Sequence, residues 1–151
     1  MKNIVVAQVG VGYWGPNLLR NLMLNKNCIV KMAVDVSPER RNFVRGLYPA
    51  IQLSDDAKEA LDDLDIQALV IATPVASHFD LTMQSLEAGK HVLVEKPMAT
   101  IVEEVEEIGR LAEVKNLVAM AGHTFLYNPA VRYVKKLIDS GSLGNIRYIY
   151  S

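Results

Sequence analysis

Hydrophobic and polar positions alternate in blocks along this chain, and the spacing of the apolar residues changes from block to block. Short, nearly continuous apolar runs occupy residues 4–9, 28–34, 51–53, 67–72, 91–95 and 117–121. Such runs are typical of strands that are buried on both faces. Between them, apolar residues recur every three or four positions, as Leu18, Leu19 and Leu22 do, which predicts amphipathic helices. Strands that alternate with helices predict an α/β fold with a doubly wound parallel sheet.

The pattern changes after Gly122. Asn128 and Pro129 open another predicted helix, and Ile146, Tyr148 and Tyr150 then alternate as in a strand with one dry face. The sequence therefore predicts a first domain over residues 1–122. Residues 123–151 are predicted to form a connecting segment, a helix and the first strand of a second α/β domain, of which only the start is present. A strand without a neighbour predicts a tail that is disordered, packs irregularly on its own domain, or pairs with the same segment of another molecule, which would be self-association through its edge.

A glycine-rich turn separates the first predicted strand from the first predicted helix. Gly10, Gly12 and Gly15 form a Gly-x-Gly-x-x-Gly pattern there. In a strand–turn–helix unit the first glycine permits the tight turn, the second lets phosphates approach the backbone, and the third lets the helix pack closely. The amino terminus of the helix also attracts anions. This stretch predicts a dinucleotide site, in which Tyr13 and Trp14 either shield the cofactor or pack beneath the loop.

An acidic residue, Asp35, follows the second predicted strand, where the ribose hydroxyls of NAD would lie. S-adenosylmethionine also binds glycine-rich turns followed by an acid, but Gly15 favours a dinucleotide. Asp35 would repel the 2′-phosphate of NADP, whereas Arg40 could stack on the adenine or attract that phosphate. The sequence favours NAD, with NADP as the alternative.

Several polar residues lie at the predicted carboxyl ends of strands, where ligands of doubly wound sheets bind. Thr73 and Pro74 follow one strand, Glu95 and Lys96 lie at the end of the next, and His123 follows the last. His78, in the first turn of a predicted helix, either approaches the cofactor or makes local hydrogen bonds. We predict a cofactor and substrate crevice at this edge of the sheet.

Composition and charge exclude several classes of function. The formal net charge is −1, which provides no field that would favour nucleic acid or an anionic membrane. The single cysteine, Cys28, excludes an internal disulfide, and no apolar run is long enough to span a bilayer. We therefore expect a cytoplasmic protein. No cluster of histidine and cysteine has the spacing of a metal site, so no metal is expected.

Residues 89–97, which end in Glu95-Lys96-Pro97, resemble the glucose–fructose oxidoreductase/inositol dehydrogenase/MocA (Gfo/Idh/MocA) family. Residues 12–17, Thr73-Pro74 and His78 share the resemblance, which covers essentially the whole chain. It implies an NAD(P)-binding Rossmann fold and NAD(P)-dependent oxidation or reduction of a carbinol or ketone, on a sugar, nucleotide-linked sugar or cyclitol. The lysine that matches Lys96 lies beside the nicotinamide, where it orients the substrate hydroxyl and assists proton transfer.

The same resemblance extends, less specifically, over residues 122–129 and makes His123, Tyr127 and Asn128 candidate substrate residues. Family members continue into a second α/β domain that supplies a catalytic histidine and most substrate contacts. Two interpretations therefore stay open: a dehydrogenase, or its cofactor half, and a non-catalytic dinucleotide-binding module. Lys96 favours the enzyme, although most lysines are simply solvated.

Overall fold

Six parallel strands form one sheet in the order β3-β2-β1-β4-β5-β6 in a computed structural model that describes residues 3–150. The strands are β1 Ile4–Val9, β2 Cys28–Val34, β3 Gln52–Ser54, β4 Ala68–Ile71, β5 His91–Val94 and β6 Ala119–Ala121. The helices are α1 Gly15–Leu24, α2 Pro38–Leu47, α3 Ala57–Asp62, α4 His78–Glu87, α5 Val102–Val114 and α6 Pro129–Asp139. Two 3₁₀ turns occupy Val75–Ser77 and Thr124–Tyr127. The predicted doubly wound α/β fold is confirmed.

The order of the strands reverses at the centre of the sheet. The chain builds β1, β2 and β3 outward on one side and then returns to place β4 on the other side of β1. β1 and β4 are in register, with Val9 opposite Ile71. The crevice beyond the carboxyl ends of these two strands is the topological switch point at which doubly wound sheets bind ligands.

Hydrophobic clusters cover both faces of the sheet. The larger cluster includes Met32, Leu69, Leu86 and Ile108, and the smaller one is built around Leu19, Ala33, Val44 and neighbouring residues. Met32 and Ala33 are adjacent in β2 and so point to opposite faces, which places one cluster on each side. The rigid sheet between them fixes the positions of the loops at its carboxyl edge.

The end of the chain differs from the sequence prediction. Asn128 caps α6 as expected, with its Oδ1 accepting from the N–H groups of Ala130 at 2.9 Å and Val131 at 3.3 Å. The strand predicted over residues 146–151 is wrong for residues 146–150, which form no regular structure, and Ser151 lies outside the described residues. Alternating apolar residues are not enough to form a strand, because the backbone N–H and C=O groups of a strand must pair with a neighbouring strand. None of the six described strands pairs with residues 146–150.

The predicted boundary at residue 122 between two domains stays a prediction. Within residues 3–150, no helix is both long enough and apolar enough to cross a membrane.

Candidate active site

The three glycines of the first turn play different structural parts. Gly10 has a φ of +91°, and a Cβ there would lie 2.6 Å from the Ala72 carbonyl oxygen. A Cβ on Gly15 would lie 2.7 Å from the carbonyl oxygen of Gly10. A Cβ on Gly12 would meet no atom within 4 Å. Gly10 and Gly15 are therefore required by the packing of the backbone, whereas Gly12 leaves open space in front of the turn.

Gln8 holds the glycine turn together from below, and sequence analysis missed it. Its side chain is fully buried, and its Nε2 donates to the carbonyl oxygens of Gly10 at 3.0 Å and Gly15 at 2.8 Å. One amide group thereby joins the end of β1 to the start of α1. The available signal was a glutamine inside an otherwise apolar strand, since a buried polar side chain must find partners.

Asp35 is fixed at the carboxyl end of β2. Its Oδ2 accepts from the N–H of Val11 at 2.7 Å, and its Oδ1 accepts from the N–H of Ser37 at 2.9 Å. The carboxylate lines a cavity of about 370 Å³ in front of the glycine turn. The other lining residues include Gly10, Gly12, Thr73, Pro74 and Asp55. The structure thus brings Asp35 together with Gly10, Gly12, Thr73 and Pro74 at one cavity.

The arginine that contacts this acidic corner is Arg41, whereas the sequence prediction named Arg40. The Arg40 side chain is exposed, and its backbone N–H donates to the Ser37 hydroxyl at 3.4 Å. Arg41 Nη1 donates to the carbonyl oxygens of Asp35 at 2.6 Å and Val36 at 3.0 Å. The helical turn of α2 decides which of two adjacent arginines faces the sheet, and sequence analysis did not resolve it.

A second cavity, of about 440 Å³, adjoins the first because Thr73 lines both. It gathers six residues predicted from the sequence: Tyr13, Trp14, Thr73, His78, Glu95 and Lys96. Tyr13 is 95% exposed and Trp14 is 47% exposed, so neither packs beneath the loop. Both side chains instead border the cavity, in a position from which they can cover a ligand.

Glu95 and Lys96 follow β5, and the Lys96–Pro97 peptide bond is cis. The backbone N–H of Lys96 donates to Glu95 Oε2 at 3.2 Å. A Cβ on Gly122 would lie 3.2 Å from this carboxylate, so the absence of a side chain there lets Glu95 approach the end of β6. The Lys96 side chain is exposed, and no salt bridge within residues 3–150 involves its ammonium.

His78 connects the two loops that border this cavity. The residue is only 2% exposed, its Nδ1 lies 2.7 Å from the Pro97 carbonyl oxygen, and its Nε2 lies 2.8 Å from the Thr73 carbonyl oxygen. Both ring nitrogens are thus engaged with main-chain atoms. The geometry supports local hydrogen bonding by His78, the second of the two interpretations of the sequence, while its ring still lines the cavity.

A third cavity, of about 520 Å³, shares Lys96 and Phe125 with the second and is also lined by His123 and Leu126. His123 is the one predicted substrate residue that borders it. Asn128 instead caps α6, and the guanidinium carbon of Arg132 lies 5.5 Å from the centre of the Tyr127 ring. Lys96 therefore lies where the second and third cavities meet.

This chain belongs to the oxidoreductase family described as having an NAD-binding Rossmann fold, the Gfo/Idh/MocA family, whose pattern matches residues 4–123. The match confirms the resemblance inferred from the Glu-Lys-Pro segment and the glycine turn. It also identifies NAD or a related dinucleotide as the class of cofactor for which the fold is built.

Three known proteins illustrate the similarity. The 2,7-anhydro-N-acetylneuraminate hydratase of Mediterraneibacter gnavus is 32% identical over 155 residues, which cover 100% of this chain and 40% of that protein. The scyllo-inositol dehydrogenase of Lactobacillus casei, solved with NAD(H) and scyllo-inositol, superposes with a TM-score of 0.86 at 26% identity, over 96% of this chain and 43% of that one.

A 3-ketoreductase of Actinomadura kijaniata, solved with TDP-benzene and NADP, has a TM-score of 0.88 at 25% identity, over 97% of this chain and 46% of that one. The chain therefore spans about two fifths of the length of the relatives that it matches.

Proposed function

We propose that this chain is the cofactor-binding part of an NAD(P)-dependent oxidoreductase that transfers hydride to or from a carbinol or ketone of a sugar, nucleotide-linked sugar or cyclitol. The observation that carries the proposal is the position of Lys96. Lys96 lines a cavity that shares Thr73 with the cavity in front of the glycine turn, and it also lines the cavity of His123. A dinucleotide in the first two cavities would end beside this lysine.

The residues of the first cavity fit a dinucleotide. The space in front of Gly12 is open, and no side chain caps the amino terminus of α1, so the positive end of the helix dipole faces a pyrophosphate without a competing side chain. The Asp35 carboxylate lies at the ribose end. When the dinucleotide is bound, its nicotinamide ring would give or accept the hydride.

Lys96 is proposed to act on the substrate hydroxyl. Its ammonium group is exposed toward the cavities and is not neutralised by a carboxylate among the described residues. A free ammonium can donate a hydrogen bond to a carbinol oxygen and stabilise the negative charge that develops on it during hydride transfer. His78 and Glu95 hold the backbone on either side of this lysine.

Binding is tested by titrating the chain with NADH and following NADH fluorescence. Gly12→Ala places a methyl group in the open space and should weaken NADH binding at least about tenfold. Gly46→Ala in α2 is a matched control, since a Cβ there also meets no atom within 4 Å and Gly46 lines none of the three cavities. Equal affinities of the two variants would refute the proposed pyrophosphate position.

Turnover is tested by following NADH formation with a panel of inositols, pyranoses and nucleotide-linked sugars, for wild type and Lys96→Met. Loss of turnover at unchanged NADH affinity would support the role of Lys96, because an interaction made mainly in the transition state affects kcat. Since one relative is named a hydratase, products should also be analysed for addition or loss of water.

Binding without any turnover would favour the second candidate, a non-catalytic dinucleotide-binding module. The observation that favours this second candidate is the exposure of Phe125 and Leu126 beside Lys96, at 73% and 65%. A substrate bound there would be enclosed on one side only. The cytoplasmic location stays a prediction.

A further inference from the structure

We infer that Arg41 and Asp55 form a latch that sets the choice between NADH and NADPH, by holding an arginine away from the 2′-phosphate that it would otherwise bind. The inference rests on the proposed cofactor site. Arg41 and Asp55 are distinct from the glycine turn and from Asp35. They are identified by their contacts near the ribose end of the first cavity.

The guanidinium of Arg41 is occupied on two sides. Nη1 donates to the carbonyl oxygens of Asp35 and Val36, and Nη2 lies 3.4 Å from Asp55 Oδ2. The Arg41 side chain is 20% exposed, whereas that of Asp55 is 68% exposed. Asp55 is therefore the solvent-facing part of the latch, and its removal would release Nη2 without disturbing a packed core.

Two carboxylates, those of Asp35 and Asp55, line the cavity in front of the glycine turn. Asp35 is fixed by two backbone N–H groups, so it cannot swing away from an incoming anion. Asp55 lines the same cavity. A 2′-phosphate carries close to two negative charges and would meet both carboxylates, whereas the ribose hydroxyls of NADH can donate to them.

Arginine is well suited to bind a 2′-phosphate because its planar guanidinium can donate two parallel hydrogen bonds to the phosphate oxygens. In this chain Arg41 is instead bound to the carbonyl oxygens of Asp35 and Val36 and to Asp55. The latch thus converts a residue that would favour NADPH into a support for the loop that carries Asp35.

The experiment measures dissociation constants for NADH and NADPH by cofactor fluorescence in wild type and five variants. Asp55→Ala removes both the charge and the acceptor, so NADPH affinity should rise about tenfold, as expected for a charge-assisted contact with phosphate. Asp55→Asn keeps an acceptor for Arg41, and the rise should be about threefold, as expected for loss of one exposed charge. NADH affinity should change less than about twofold in both, because Asp35 still accepts from the ribose.

Arg41 itself is tested in the double variant Arg41→Met with Asp55→Ala, which should lose most of the gain in NADPH affinity, and in Arg41→Met alone. Asp62→Asn is the matched control, because it removes one exposed carboxylate that does not line the cavity. Circular dichroism verifies that each variant is folded.

Three results would each refute the inference. They are a wild-type chain that does not prefer NADH, an Asp55→Ala variant whose NADPH affinity does not rise, and a rise in NADPH affinity that persists in the double variant. Failure of every protein, wild type included, to bind either dinucleotide would instead refute the proposed function, so the two failures are distinguishable.

Discussion

Residues 3–122 and residues 123–150 carry equally regular hydrophobic patterns but have different surroundings. In the first region Leu69, Ile71 and Leu86 are fully buried, and helices cover both faces of the sheet. In the second, α6 has apolar residues at helical spacing, yet no residue between 123 and 150 is buried. A hydrophobic pattern therefore specifies the type of element and the face that it offers, but not what covers that face.

The largest expected contrast between the two regions is in the free energy of unfolding. Leu86→Ala empties space in the main cluster and should destabilise the protein by about 3 kcal/mol. Leu126→Ala makes the same chemical change at a side chain that is 65% exposed and should cost less than about 0.5 kcal/mol. Urea denaturation measures both. Similar losses for the two variants would mean that residues 123–150 are packed against something in solution.

A second contrast lies within the first region and separates stability from binding. Gly10→Ala should cost about 2 kcal/mol or more, because the new Cβ meets the Ala72 carbonyl and φ is positive. Gly12→Ala should change the stability by less than about 1 kcal/mol, since its Cβ meets nothing. Thermal unfolding checks both values, and the ranking would be contradicted if Gly12→Ala proved the more destabilising.

Much of the fold follows from the sequence because period and turn residues are local properties. The six strands, the cap at Asn128 and the position of Lys96 at a strand end were all predicted from such signals. Gln8, Arg41 and Asp55 were missed because their importance lies in contacts between separate segments. The strand expected over residues 146–150 failed for a related reason: a strand needs a partner, and alternation does not report whether there is one.

The third prediction concerns what residues 144–151 do in solution. Tyr148 is 85% exposed and Tyr150 is 95% exposed, and apolar side chains presented in this way favour association between copies. We expect the mass measured by light scattering to rise with protein concentration. Deletion of residues 144–151 should abolish the rise and leave NADH affinity unchanged. A wild-type chain that stays monomeric at all concentrations would refute the predicted self-association.

The smallest expected effect compares an ion pair from each region. Lys31 Nζ lies 2.7 Å from Asp63 Oδ2 and 2.8 Å from Asp65 Oδ2, with side-chain exposures of 26% for Lys31 and 18% for Asp63. In the second region Lys135 pairs with Asp139 one turn along α6, where the two side chains are 69% and 55% exposed. The hydrogen bond from Lys31 is the main cause that holds the pKa of Asp63 below its ordinary value.

Because the folded protein holds the Asp63 pKa down, the unfolded chain binds more protons at acidic pH. The stabilising contribution of Asp63 is therefore complete above the ordinary pKa of an aspartate and is lost as the pH falls through the lowered value. Urea midpoints measured between about pH 6 and pH 3 should fall less steeply for Asp63→Asn than for wild type. Asp139→Asn is measured in the same way as the exposed counterpart, since a surface pair one helical turn apart contributes little to stability. Equal slopes for wild type and both variants would show that Lys31 and Asp63 do not interact measurably in solution, and the contrast between the two regions would then be one of apolar burial alone.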